Sequence, residues 1–338
     1  MTRIRQHLAL SDLAPLAAAA AGPHRALAGV SRVHGGTKKG SYRLAYDDGS
    51  TAIAYVWSPQ ENYWDDPEAG AGVAAPDPRA PFSPATGLDL FVAAHDRLTA
   101  AGVRAPRLLL VDPDRRYLPA DAVVVEDVRG GSLEEALDRD PAAAAPIVDR
   151  LAGQLRALHA HAGPRYGKVA VVDAGLSSHG TSCVQAVLDG ALRDVEEAAR
   201  RDARIGVLRE AIAERVRDLA AAVEPRSRYT LIHGELGPDH VLLTADGEPV
   251  LIDVEGLMYF DVEHEHVFLA LRFGEWYDRL RAPGLELDED RLAFYRLAMH
   301  VSLVAGPLRL LDGDFPRPAE MRAIAESNLL RVLELVGP

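Results

Sequence analysis

Two short apolar runs in this chain each end in acidic groups. Leu231-Ile232 leads into His233-Gly234-Glu235, and Val250 to Ile252 delivers Asp253 and Glu255. Between them, Ala245-Asp246-Gly247-Glu248 has the composition of a tight turn. Two strands joined by such a turn would pair antiparallel and bring the loops at their ends together. Carboxylates held at rigid strand ends suit metal-assisted phosphoryl transfer. That reaction needs a carboxylate near the acceptor hydroxyl, oxygen ligands for Mg²⁺ and a positive charge on the phosphates. The positive charge is in short supply: the chain has only three lysines, Lys38, Lys39 and Lys168, and its other basic residues are arginines.

The elements that must position these groups follow from periodicity. Residues 26–57 alternate as three strands, ALAGVSRVHGG, SYRLAYDDG and STAIAYVWS, the last two joined by the Asp47-Asp48-Gly49 hairpin turn. Residues 58–85 are rich in Pro, Gly, Ala and Asp and read as a lid or insert. Leu88, Phe91, Val92, His95 and Leu98 recur at helical spacing, closed by Gly102. PRLLLVD and DAVVVEDV read as strands. Gly130-Gly131 then break the chain, Ser132-Leu133-Glu134-Glu135 is a capping box, and Asp140-Pro141 opens a further helix. Helical spacing returns at 179–224, 288–312 and 318–336. Near the N-terminus, LAPLAAAAAG reads as an amphipathic helix opened by Ser11. The organisation is a sheet-rich part over 1–122, a connector over 123–131 and a helix-rich part over 132–338.

Composition narrows the function. The 338 residues are 48% hydrophobic and 26% charged, enough to bury a full core. A net charge of −13 argues against a nucleic-acid partner and is compatible with a cationic small substrate. The single cysteine, Cys183, permits no intrachain disulfide and points to the cytoplasm. No apolar run reaches the length of a membrane span.

HGELGPDHVLL followed by LIDVEG resembles the aminoglycoside phosphotransferase family of the protein-kinase-like superfamily, whose signature is His-Gly-Asp, four residues, Asn, and later Ile-Asp-x-Glu or Ile-Asp-x-Asp. VVVEDVRGGSLEEAL is similar to that family's hinge, and LRALHAHAGPRYG to its helix ending in Leu-His. The resemblance covers the chain from about residue 26. It implies an α+β, bilobal protein-kinase-like fold, with a small β-rich lobe carrying one main helix and a larger helical lobe carrying a catalytic hairpin. It also implies ATP or GTP between the lobes, with the purine against Glu126, Asp127 and Val128. Glu235 stands where an aspartate orients or deprotonates the acceptor hydroxyl, and His233 where a histidine braces that loop. His240 stands at the metal-binding asparagine and Asp253 at the main metal ligand, with Glu255 two positions on. Glu265 sits at a structural aspartate.

Three residues depart from the pattern. Glu235 is one methylene longer than aspartate. His240 offers nitrogen in place of oxygen, which Mn²⁺ tolerates better than Mg²⁺, and neighbouring Asp239 is an alternative ligand. The lysine expected on TAIAYVWS is absent, with Tyr55 at the nearest matching place. Lys38 or Lys39, in VHGGTKKGSYR where the family has its glycine-rich phosphate cover, must then supply the charge, unless an arginine does or nothing does. That arrangement resembles the with-no-lysine protein kinases.

Other features have plainer readings. GGTKKGS lacks the terminal Lys-Ser/Thr of a P-loop. His264 and His266 are two apart, on different helix faces, so a solvated or capping acidic segment is favoured over a metal site. Cys183 reads as an inert thiol, and Tyr63, Trp64, Trp276 and Tyr277 as packing or pocket lining. The sequence thus leads to phosphoryl transfer onto a hydroxylated, cationic small molecule such as an antibiotic, bound among the helices after 270. A degenerate nucleotide binder, or a Ser/Thr kinase of a biosynthetic peptide, stays open beside it. The oligomeric state is not legible.

Overall fold

The computed structural model describes residues 5–337 except 23, 34 and 65–75. The middle of the expected 58–85 insert therefore lies outside the described residues. The N-terminal lobe is one antiparallel sheet built from β1 (Leu27–Arg32), β2 (Gly40–Tyr46), β3 (Thr51–Trp57), β4 (Leu108–Asp112) and β5 (Asp121–Glu126) in the order β1-β2-β3-β5-β4. Two helices cover it. Side chains alternate across a strand, so Ala52, Ala54 and Val56 of β3 and Ala122 and Val124 of β5 pack under α1 (Leu10–Ala21). Ile53 and Tyr55, with Val123 and Val125, pack under α2 (Leu88–Ala100). A strand buried on both faces reads as the nearly continuous apolar run seen at 121–125. Helix α1 contributes Leu13 and Leu16, both fully buried. Each is worth roughly 1.5–3 kcal/mol on the hydrophobic scale. Ser11 does not open this helix: Ala9 occupies the cap, and its N–H donates to the Asp12 carboxylate at 2.7 Å.

The C-terminal lobe begins at α3 (Leu133–Arg139), whose start is the expected capping box. The Ser132 hydroxyl accepts from Glu135 N–H, and the Glu135 carboxylate accepts from Ser132 N–H, each at 3.1 Å. Asp140 caps α4 (Pro141–His159) through the N–H of Ala143. Then come β6 (Ala162–Gly163), β7 (Gly167–Lys168), α5 (Val169–Asp173), the long pair α6 (Cys183–Arg201) and α7 (Ala203–Ala222), and β8 (Tyr229–Ile232). β9 (Val241–Leu243), β10 (Pro249–Leu251) and β11 (Met258–Phe260) follow, then α8 (Val262–Phe273), α9 (Tyr277–Leu280), α10 (Glu289–Asp312) and α11 (Pro318–Val336).

One expectation is corrected here. The strand before Glu235 and the strand before Asp253 do not pair with each other. The turn at 245–248 joins β9 to β10, with Val250 opposite Leu242. Strand β8 lies in a separate sheet of order β6-β8-β11-β7. The chain between Ile232 and Val241 is long enough to turn away and form its own strand before the hairpin turn. The two acidic loops still meet, because β11 follows Asp253 directly and pairs Met258 with Ile232.

Gly130 ties the connector to that hairpin. Its N–H donates to the Leu243 carbonyl at 2.8 Å, and the Leu243 N–H donates back to the Gly131 carbonyl at 2.9 Å. A Cβ at 130 would stand 2.3 Å from the Leu243 oxygen, so only glycine permits the approach.

Candidate active site

Ile252 joins the two acidic loops. Its N–H donates to the His240 carbonyl at 3.0 Å, and its carbonyl accepts from Nε2 of His233 at 3.0 Å. A carbonyl can only accept, so His233 carries its proton on Nε2. Burial pushes His233 below the usual imidazole range, which leaves it a neutral brace with its ring nitrogen committed. The loop is fastened from behind by Glu265 of α8, whose carboxylate accepts from the N–H of His233 at 2.7 Å and of Gly234 at 3.4 Å. Burial alone would raise Glu265, but the donated N–H of His233 and the imidazole of His159 3.9 Å away outweigh it and hold the carboxyl below its usual range.

Asp253, two residues beyond β10, has a left-handed backbone conformation, φ 58° and ψ 46°, which is strained for a residue other than glycine. The two acids two positions apart then have different surroundings: the Asp253 side chain is 44% exposed and that of Glu255 only 4%. Lys39, at the threshold of β2, reaches across from the N-terminal lobe to both. Its ammonium donates to Asp253 Oδ1 at 2.8 Å and to Glu255 Oε1 at 2.5 Å, and lies 5.1 Å over the ring of Tyr55. The Lys39 charge holds Asp253 well below the usual carboxylate range, whereas burial leaves Glu255 above it. Burial opposes the ammonium, yet the paired carboxylates raise Lys39 above an ordinary lysine.

Tyr55, the residue of β3 nearest the place where a lysine was expected, has its ring edge to face with Phe91 of α2 at 5.6 Å. The buried acid that holds Lys39 is Glu255.

His240 lies beside this pair. Its Nδ1 is 2.8 Å from the Glu235 carbonyl and must donate there, which leaves the lone pair on Nε2. That nitrogen is 3.8 Å from Asp253 Oδ2 and 3.6 Å from Asp239 Oδ2. The other oxygen of Asp239 accepts from Arg272 of α8 at 2.7 Å. Asp253 and His240 thus face one point, while Asp239 is half committed to Arg272. Among the described residues, no group of three or more His, Cys, Asp or Glu could hold a metal by itself. Mg²⁺ on a nucleotide needs only one or two protein carboxylates beside the phosphates.

Glu235 is exposed and its carboxylate makes no hydrogen bond to another described residue. Its charge is the largest influence raising Lys38, and it also acts on Lys168. Lys168 is buried and donates to Ser83 Oγ at 2.7 Å and to the Ser83 and Ala80 carbonyls at 2.8 and 3.2 Å. Burial, then the charge of Lys38, pull it down to about 8. Glu235 thus influences Lys38 and Lys168, whereas Lys39 is ion-paired with Asp253 and Glu255. Lys168, the third of the lysines counted in the sequence, is committed to holding the chain at 80–83.

The connector lies apart from these groups. Glu126 accepts from Arg104 and Arg107, and Asp127 takes both nitrogens of an Arg43 fork at 2.8 and 3.2 Å. Both side chains are thus paired with arginines.

A family model described as "Phosphotransferase enzyme family" matches residues 31–300. The chain belongs to this family. A search of curated protein sequences finds no match. Among solved structures, this chain is similar to spectinomycin phosphotransferase APH(9)-Ia in complex with ADP and spectinomycin, with TM-score 0.64 and 11% identity over 98% of each chain. It is also similar to a thermostable mutant of aminoglycoside phosphotransferase APH(4)-Ia, with TM-score 0.58 and 15% identity over 90% of this chain and 95% of that one. Choline kinase LicA from Streptococcus pneumoniae gives TM-score 0.58 and 12% identity over 92% and 93%. The bilobal kinase-like fold is thereby shown. No helix among the described residues of the chain is long and apolar enough to cross a membrane.

His264 and His266 hold no metal cluster in the described residues; both are packed. His264 stacks among Phe82, Phe260 and Tyr295, and His266 Nδ1 meets the Tyr277 hydroxyl at 3.0 Å. Burial holds each down to about 4, against an ordinary 6.5. The unfolded chain therefore binds more protons between these values, and stability falls as pH drops from about 6.5 to about 4. We expect the melting temperature to fall by several degrees between pH 7 and 5. His264→Phe, which preserves the ring contacts, should reduce that slope in thermal melts; an unchanged slope would remove His264 from the account.

Proposed function

We propose that the protein moves the γ-phosphoryl group of ATP or GTP onto a hydroxyl of a small molecule. The observation that carries this reading is the Lys39 ion pair with Asp253 and Glu255, which sets a cation from the phosphate-cover loop against the acids of the opposite lobe. In the proposed division, residues 1–122 and 132–338 form the two lobes and 123–131 the hinge, with the purine on the backbone of Glu126 to Val128.

Glu235 accepts the proton of the acceptor hydroxyl as its oxygen bonds to the γ-phosphorus. The bond from that phosphorus to the β–γ bridging oxygen breaks, and ADP or GDP leaves with the electron pair. Lys39, held by Glu255, places positive charge on the phosphates, and Lys38 sits between them and Glu235. His233 keeps the Glu235 loop in place. Asp253 and Nε2 of His240 would hold Mg²⁺ or Mn²⁺, which when bound neutralises charge on the β- and γ-phosphates. The fixed tautomer of His240 fits that role, because its lone pair faces Asp253.

The acceptor we propose is hydroxylated and cationic. The net charge of −13 supports this, as do the spectinomycin and hygromycin B bound by the neighbouring phosphotransferases. Thermal shift with ATP and GTP, with and without Mg²⁺ or Mn²⁺, tests the first half. Nucleotide turnover over a panel of aminoglycosides and related amino alcohols, with the product weighed for one added phosphoryl group, tests the second. Absence of any nucleotide-dependent stabilisation would sink the reading. Binding with neither transfer nor hydrolysis would favour a degenerate binder, the reading to which the Glu235 and His240 departures point.

A further inference from the structure

The insert after β3 returns to grip the phosphate-cover loop. The N–H of Tyr63 donates to the Thr37 carbonyl at 2.8 Å, and the Trp64 indole N–H donates to the Thr37 hydroxyl at 2.9 Å. Glu61 is 1% exposed and lies directly beneath Gly40, where a Cβ would come within 2.6 Å of the Glu61 carboxyl carbon. Its carboxylate is itself anchored by Arg32 at 2.9 Å, by His7 at 3.3 Å and by the Tyr42 hydroxyl.

The same residues dock on the opposite lobe. Tyr63 meets Phe315 edge to face at 5.5 Å and packs with Leu310 and Met321. The Trp64 ring lies against Gly306 of α10, with Arg309 5.8 Å over it. Arg5 sits 4.0 Å over Tyr63, forks onto Asp314 at 2.8 Å through two nitrogens, and donates to the carbonyls of Gln60 and Asn62 at 2.7 and 3.0 Å. Four consecutive residues thus join Thr37 and Gly40, which flank Lys38 and Lys39, to the C-terminal helices.

We propose that Glu61, Tyr63 and Trp64 are positioning residues that clamp the 36–40 loop to α10 and the segment before α11, and so hold Lys39 at its place opposite Asp253. The role of Lys39 at the phosphates rests on the proposed function; the clamp itself does not. A glycine-containing cover loop otherwise samples many conformations, and a fixed one presents its charge without first having to order. A contact on the remote lobe therefore governs nucleotide affinity.

The test combines two measurements on the full chain. Hydrogen exchange over residues 36–41 is followed without nucleotide, and ATP and GTP affinities are titrated with Mg²⁺. Thr37→Val and Trp64→Phe each delete the same hydrogen bond. Each should speed loop exchange and weaken nucleotide binding by roughly 5- to 10-fold, the scale of one hydrogen bond. The double variant should lose no more than the larger single loss. Thr37→Ser retains the hydroxyl and should restore wild-type behaviour. Phe315→Leu, which touches the loop only through Tyr63, should speed exchange in the same segment. Unchanged exchange in Thr37→Val, Trp64→Phe and Phe315→Leu overturns the clamp. Faster exchange with unchanged affinity overturns the positioning of Lys39. If the wild type binds neither nucleotide but exchange accelerates in the variants, the clamp stands and the phosphotransfer reading fails.

Discussion

Lys39→Met should lower phosphoryl transfer by roughly 100- to 1,000-fold, the loss expected when a fixed electrostatic donor to developing charge is removed. The lysine is nearly buried, and the Glu255 that holds it is almost wholly so. Methionine keeps the length of the side chain while leaving that carboxylate unpaired. Breaking a buried pair from one side costs about 3–5 kcal/mol. A lower melting temperature should therefore accompany the lost activity. Lys39→Met with Glu255→Gln separates the two effects: the neutral amide should recover stability but not turnover. Lys38→Met should weaken activity less, because its ammonium answers mainly to Glu235. Wild-type turnover in Lys39→Met, with loss in Lys38→Met, would hand the phosphate role to the neighbouring lysine. Steady-state rates and melts on the four proteins decide it.

Glu235→Gln is the second substitution with a large expected effect. A positioned general base contributes about 100- to 10,000-fold, and glutamine keeps the shape while losing the basicity. Because the Glu235 carboxylate makes no hydrogen bond to a described neighbour, stability and nucleotide affinity should stay close to wild type. Glu235→Asp is as informative. It restores the residue type of the family signature, but the backbone here is set by His233, Glu265 and His240 around a longer side chain. Withdrawing the carboxylate by about 1 Å should cost around 100-fold. An aspartate variant as active as wild type would mean that the acceptor, and not this loop, sets the distance. A glutamine variant within threefold of wild type would end the assignment of Glu235 as the base.

The elements were legible because their signals are local. Alternating apolar residues in 26–57, the Ser132–Glu135 box and the Asp140-Pro141 start each involve residues within a turn or two of one another. The acids at 235, 253 and 255 were legible for a related reason: a strand end and its loop travel together in the sequence. The pairing of those strands was not. A turn sequence announces that two strands meet, but which two depends on where the chain between Ile232 and Val241 goes, and β8 found its partner in β11.

The sequence alone determined that any catalytic lysine must be one of three, and that the strand expected to carry it bears Tyr55. Only the tertiary structure showed which of Lys38 and Lys39 the acids hold: Lys39 is paired with Asp253 and Glu255. Lys39 is 214 residues from Asp253 and 216 from Glu255. Contacts at such separation leave no periodicity to read, since they arise only when segments distant in the chain pack together. The same holds for Tyr63 and Trp64, whose aromatic character signals burial but not the surface that will bury them.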